Sequence, residues 1–131
     1  MNFSASNGAY SIAVPYMPGG SSYKIVAAHG LYLNNEDTIT VSADLANKNT
    51  WLWGGDANNS GKVTIADLSC IGGAFGESPV TSDCEGAGSP DINADDRVSI
   101  QDLSLAGGNY DKCNPQPWNW SVDPPNYLCT P

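Results

Sequence analysis

The sequence predicts an α+β fold, with a small antiparallel β-rich N-terminal segment packed on a duplicated loop–helix module. Three observations predict it. An oxygen-rich pattern occurs twice, 35 residues apart. Each copy runs into a stretch whose apolar residues recur at helical spacing. Upstream, short runs alternate apolar and polar residues, bounded by Pro, Gly and Asn.

The upstream elements come first in the chain. Residues 1–8 are small and polar and read as a linker. Residues 9–14 alternate and stop at Pro15, and Pro18-Gly19-Gly20 is turn punctuation. Residues 23–28 form a second strand candidate, with Asn34-Asn35 marking a turn. Residues 38–43 (Thr-Ile-Thr-Val-Ser-Ala) carry clear period-two alternation, and 50–53 read as a short fourth strand. So small a sheet is marginal alone. It is expected to pack on the following module, with Trp51 and Trp53 at the junction.

The first copy of the repeat is Asp56-Ala57-Asn58-Asn59-Ser60-Gly61-Lys62-Val63-Thr64-Ile65-Ala66-Asp67. The second is Asp91-Ile92-Asn93-Ala94-Asp95-Asp96-Arg97-Val98-Ser99-Ile100-Gln101-Asp102. Aligning residues 56–75 with 91–110 gives nine identities, which marks an internal duplication. Ile65, Leu68, Ile71 and Phe75 form one apolar stripe, and Ile100, Leu103, Ala106 and Tyr110 form its mate. Helices are expected over 65–75 and 100–110. The Gly72-Gly73 and Gly107-Gly108 pairs, at about 1 kcal/mol per Gly relative to Ala, keep them short or end them.

Oxygen-bearing side chains stand at positions 1, 3, 5, 9 and 12 of each loop. A hard cation such as calcium takes about six to eight oxygens, one of them the carbonyl at position 7. The expected ligands are Asp56, Asn58, Ser60, Lys62 (carbonyl), Thr64 and Asp67, then Asp91, Asn93, Asp95, Arg97 (carbonyl), Ser99 and Asp102. Crowded carboxylates repel one another unless a cation neutralises them. Gly61 at position 6 permits the sharp turn about the ion, and Asp96, its counterpart, tolerates a left-handed backbone better than most residues. Val63 and Val98, at position 8, are placed for a short loop–loop pairing. Two Ca2+ are expected, with affinities of roughly 10⁻⁶ to 10⁻³ M, as in extracellular modules.

The bulk numbers agree. Hydrophobic content is 40% and charged content 15%, which describes a folded, loop-rich chain. Formal net charge is -9, and six of the 14 acids lie in the two loops, so two divalent cations would bring it to -5. Five Lys and Arg without a cluster argue against a nucleic-acid partner. Four Cys without a CxxC motif suggest two disulfides in an oxidising compartment. Three pairings are open, of which Cys70–Cys84 with Cys113–Cys129 closes short local loops. No apolar run is long enough to span a membrane, and the start lacks the basic region and apolar core of a signal peptide. The chain reads as a module of a larger secreted protein.

GDANNSGKVTIADLS and DINADDRVSIQDLS resemble the two half-motifs of a type I dockerin, in which a calcium loop is followed by one helix (an F-hand, EF-hand-like) and the unit is duplicated. The resemblance covers residues 55–112. More weakly, YKIVAAHGLYLNNEDTITVSADL resembles the β-segment that precedes dockerin repeats in some large secreted bacterial proteins. The resemblance implies docking to a cohesin domain on a scaffold or cell surface. It implies partner contacts at Ile65, Ala66 and Ser69, and at Ile100, Gln101 and Ser104. In cellulosomal dockerins, loop positions 10 and 11 are often Ser-Thr and later helix positions Lys-Arg. Here they are Ile65-Ala66 and Ile100-Gln101, then the two Gly pairs. The organisation expected is a β-rich segment over 1–54, the calcium module over 55–112 and a Pro- and aromatic-rich tail over 113–131.

The alternative function is a calcium-braced structural subunit of a self-assembling surface layer or filament, pairing through exposed edge strands. No catalytic constellation is present: His29 stands alone, and the paired carboxylates are better explained as metal ligands. Trp118, Trp120 and Tyr127 offer a minor alternative, carbohydrate stacking. Asn2-Phe3-Ser4 and Asn119-Trp120-Ser121 fit a glycosylation acceptor pattern.

Overall fold

The structure, a computed structural model, describes residues 9–15, 19–46, 48 and 50–117. The linker 1–8, the tail aromatics, both glycosylation patterns and Cys129, with its expected bond to Cys113, lie outside the described residues.

The architecture is α+β. Strands β1 (Ser21–Ala27) and β2 (Asn35–Val41) pair antiparallel, with Tyr23 opposite Ile39. Exposure alternates along β1, as half-buried strands require. The Lys24–Glu36 ion pair, at 3.0 Å, joins the two strands on one face of the sheet, and the Lys48–Asp37 pair, at 2.9 Å, ties the chain after β2 back to the strand. Both strands begin earlier than the alternation indicates. Asn35 belongs to β2 and is fully buried, its Nδ2 donating to Thr50 Oγ1 and the Trp51 carbonyl, so Asn34-Asn35 is not a free turn.

Two expected strands do not form. Residues 9–14 make no strand, although Tyr10 donates its hydroxyl to the Lys48 carbonyl. Residues 50–53 also stay irregular, but Leu33 N–H donates to the Trp53 carbonyl and Tyr32 bridges Gly54. The third strand instead comes from the far end of the chain. β3 (Gln116–Pro117) pairs parallel to β2, with Asn35 opposite Gln116.

Helices α1 (Ile65–Gly73) and α2 (Ile100–Gly108) end at the glycine pairs. Their starts are fixed by matching capping boxes. The Thr64 hydroxyl accepts Ala66 N–H while Asp67 Oδ2 accepts Thr64 N–H at 2.7 Å. The Ser99 hydroxyl accepts Gln101 N–H while Asp102 Oδ2 accepts Ser99 N–H at 2.8 Å. Loop positions 9 and 12 are therefore also the N-cap and N3 of each helix.

The core gathers both repeats and the N-terminal segment: Leu33, Ala57, Val63, Ile71, Ile92, Val98 and Ala106. Leu33, fully buried, carries the segment into the core, and Gly55 N–H and Asp56 N–H both donate to the Leu31 carbonyl. Trp53 packs on the core, with Lys112 Nζ 4.3 Å from its ring centroid, whereas Trp51 is mostly exposed. Only the middle of each expected stripe is covered. Ile65 and Ile100, the first residues of their helices, are exposed, as are Phe75 and Tyr110, which stand two residues past helix ends that fall short of the expected 75 and 110.

Val63 and Val98 do not pair with each other. Val63 exchanges backbone hydrogen bonds with Asp111 and Lys112, both at 2.9 Å. Val98 exchanges them with Gly76, at 2.8 Å, and Glu77, at 3.0 Å. The pairing is reciprocal at the 35-residue offset: each loop grips the chain that leaves the other repeat's helix.

Candidate metal loops and helix faces

Each loop is wound around its own carboxylates. In loop 1, Asp56 accepts Ser60 N–H at 2.9 Å and Gly61 N–H at 2.8 Å, and Asn58 Oδ1 accepts Ser60 N–H at 3.1 Å. In loop 2, Asp91 accepts Asp95 N–H at 3.1 Å and Asp96 N–H at 2.8 Å, and Asn93 Oδ1 accepts Asp95 N–H at 3.2 Å. Asp67 Oδ1 closes loop 1 on Asn58 N–H at 3.1 Å, and Asp102 Oδ1 closes loop 2 on Ile92 N–H at 2.8 Å. In loop 2 positions 1, 5 and 12 thus converge. In loop 1 positions 1, 3 and 5 are drawn together, and in each loop position 9 is tied to position 12.

The backbone turns left-handed twice in each loop, at Asn59 and Gly61 and at Ala94 and Asp96. Position 6 was legible from Gly61. Position 4 was missed, and Asn59, a residue type enriched in that conformation, was the available signal.

The donor set fits a hard cation. Asp91, Asp95 and Asp102 offer oxygens within 4.8 Å of one another. Two oxygens on one calcium, each at about 2.3–2.6 Å, cannot lie more than about 5 Å apart. Asp67 and Asp102 are fully buried and Asp56 nearly so, and no ion pair reaches them among the described residues. Buried charges require a partner. Burial pushes the Asp56 carboxyl above its ordinary value, against the Gly61 and Ser60 N–H bonds, and neighbouring Asp67 pushes it further. A cation would reverse that repulsion. The Lys62 side chain turns outward to Asp111 at 2.7 Å, while its carbonyl accepts the Ser60 hydroxyl at 2.9 Å. Thr64 and Ser99 spend their hydroxyls on the caps, and Arg97 N–H donates to Asp95 at 3.1 Å.

The helices turn equivalent faces outward. Ile65, Ala66, Ser69, Gly72 and Gly73 are exposed on α1, and Ile100, Gln101, Ser104, Gly107 and Gly108 on α2. Neither face carries a charged side chain, in a chain of net charge -9. A Cβ built on any of the four glycines meets nothing within 4 Å. The helix backbone is therefore bare there.

Cys70, on α1, is joined to Cys84 in the connector. His29 is exposed, its Nδ1 2.8 Å from the Gly30 carbonyl and its ring edge-on to Tyr32. No helix among the described residues is long and apolar enough to cross a membrane.

The arrangement defines a duplicated loop–helix module carrying a β-rich segment. No family model matches the chain, and no curated protein does. Among solved structures it is similar to a chain of the type II cohesin–X–dockerin complex from Acetivibrio cellulolyticus, in an N-terminal and a C-terminal interface mutant. Identity is 22% and 21%, with 84% of this chain and 73% of that chain covered, and a TM-score of 0.59 in each case. The fold is thus dockerin-like. Those complexes are type II, whereas the loop motifs resemble type I, so what is shared is the fold.

Proposed function

We propose that the chain is a calcium-stabilised extracellular docking module, not an enzyme, which attaches its parent protein to a cohesin-like domain on a scaffold or cell surface. Calcium fills the two loops through the ligands named above, and residues 55–112 are the docking unit. The observation that carries the reading is the pair of equivalent uncharged helix faces on a fold shared with cohesin–X–dockerin complexes. Ile65 and Ile100 are the apolar anchors. Ala66, Ser69, Gln101 and Ser104 are the surrounding contacts, and the bare Gly pairs let a partner backbone approach closely. Equivalent faces allow binding in two orientations. The disulfide suits an oxidising location.

The test is calorimetry against type I and type II cohesin domains. Saturable binding is expected in calcium and not in EDTA. Ile65→Asp with Ile100→Asp is expected to weaken it by at least about tenfold, as loss of buried apolar anchors does. Absence of binding to every cohesin tested contradicts the reading.

A second reading, a self-assembling structural unit, is favoured by one observation: among the described residues β1 is an edge strand of the sheet. Concentration-dependent growth in sedimentation velocity without a partner selects it.

A further inference from the structure

The connector between the repeats lies against loop 1. Residues 84–88 close a tight turn in which Cys84 and Gly88 exchange backbone hydrogen bonds, and Cys84 is joined to Cys70 on α1. Ser89 N–H donates to the Ala57 carbonyl at 3.0 Å. Asn59 Nδ2 donates to the Gly86 carbonyl at 3.2 Å and to that of Ala87 at 3.4 Å. A Cβ on Gly88 would stand 1.7 Å from the Ala57 carbonyl oxygen, so the turn rests backbone to backbone on the loop.

Loop 1 is held from two other sides. Asn59 Oδ1 accepts Leu31 N–H at 2.8 Å, and Asn114 N–H donates to the Gly61 carbonyl at 2.8 Å. Loop 2 is barer. At the 35-residue offset Ala94 stands where Asn59 stands in loop 1 and has no side chain to hold a neighbour. Ala94, Asp95, Asp96 and Arg97 are all exposed. Val80 N–H reaches Asp96 Oδ1 at 3.1 Å.

We propose that the Cys70–Cys84 disulfide fastens this turn as a strap that holds loop 1 in its ion-binding shape without an ion, whereas loop 2 takes its shape on binding one. The proposal rests on the reading that both loops bind calcium, and it deepens that reading. Loop 1 has Ser60 where loop 2 has Asp95, so it offers two ligand carboxylates against three. Affinity depends on ligand charge and on rigidity, and a preset site loses less freedom on binding. The strap offsets the missing charge.

The test is amide hydrogen exchange by NMR on the full chain, EDTA-treated and then titrated with calcium. In EDTA, the amides of Ser60, Gly61 and Thr64 are expected to be at least about tenfold better protected than those of Asp95, Asp96 and Ser99. Calcium then slows exchange mainly in loop 2. Cys70→Ser with Cys84→Ser is expected to bring loop 1 down to the level of loop 2. The same variant weakens calcium at loop 1 about tenfold and leaves loop 2 within about twofold. Asn59→Gly, which keeps the left-handed backbone but removes both the strap bonds and the Leu31 bond, is expected to lower loop 1 protection in the same direction with the disulfide intact. Equal protection of the two loops in EDTA, or unchanged loop 1 protection in both variants, overturns the proposal. Disulfide-dependent protection of loop 1 with no response of either loop to calcium supports the strap and removes the calcium reading.

Discussion

Gly55 is where the β-rich segment, loop 1 and α2 meet, and Gly55→Ala tests whether they are packed as described. Its φ is +123°, and an added Cβ would lie 2.5 Å from Ala106 Cα and 3.0 Å from Ala106 N. Carbon pairs settle at about 3.5–4.0 Å, so α2 must retreat by about 1 Å. The retreat pulls on the buried Asn109 Nδ2 bond to the Gly54 carbonyl, at 2.7 Å, and on Gly55 N–H to the Leu31 carbonyl, at 3.0 Å. The backbone conformation costs about 1–3 kcal/mol for a non-glycine residue, and overpacking about 1–3 more. The sum, about 2–6 kcal/mol, is a large share of a total stability of about 5–15. Urea unfolding in saturating calcium, followed by tryptophan fluorescence, is expected to show the midpoint falling by about 1 M or more. A cost below about 1 kcal/mol would refute the described junction, because neither strain nor clash could then be present.

Three further outcomes follow from the same structure. Gly72→Ala with Gly107→Ala should stabilise the fold by about 0.5–1 kcal/mol per site, since both glycines are helical and open, yet weaken cohesin binding by covering the bare backbone; thermal unfolding and calorimetry read the two effects. Asp102→Ala strips the acceptor from the buried Ile92 N–H and the part-buried Asn93 and Ser99 N–H and should cost about 3–9 kcal/mol in calcium, at about 1–3 for each of the three groups, as read by urea unfolding. Glu77 is held below its ordinary value by the Ser82 hydroxyl and by Thr81 and Ser82 N–H. Its contribution is full above the unfolded carboxylate range and is lost as pH falls through the depressed folded value, so Glu77→Gln should flatten stability against pH on that acidic side.

The sharp loop turns and the glycine-ended helices were legible because fixed spacing dictates them. Oxygens must return to one point, and glycine pairs stop a helix. The Cys70–Cys84 bond was legible because the two residues are near in sequence. The outer apolar positions were not. Ile65, Phe75, Ile100 and Tyr110 fit a helical period but lie beyond the single turn that packs inward. The reciprocal grip of Val63 and Val98 is a tertiary choice that position 8 alone does not specify. β3 is two residues long and carries no period to read. The capping boxes were in view as Thr64-x-x-Asp67 and Ser99-x-x-Asp102, hidden by their coincidence with ligand positions 9 and 12.

The proposed function requires that a cation at each loop brace the module. Calorimetric titration of the EDTA-treated chain with calcium, alongside circular dichroism, tests it most directly. Two binding events with a gain in helix are the predicted result. No heat of binding and no spectral change at millimolar calcium would contradict the account.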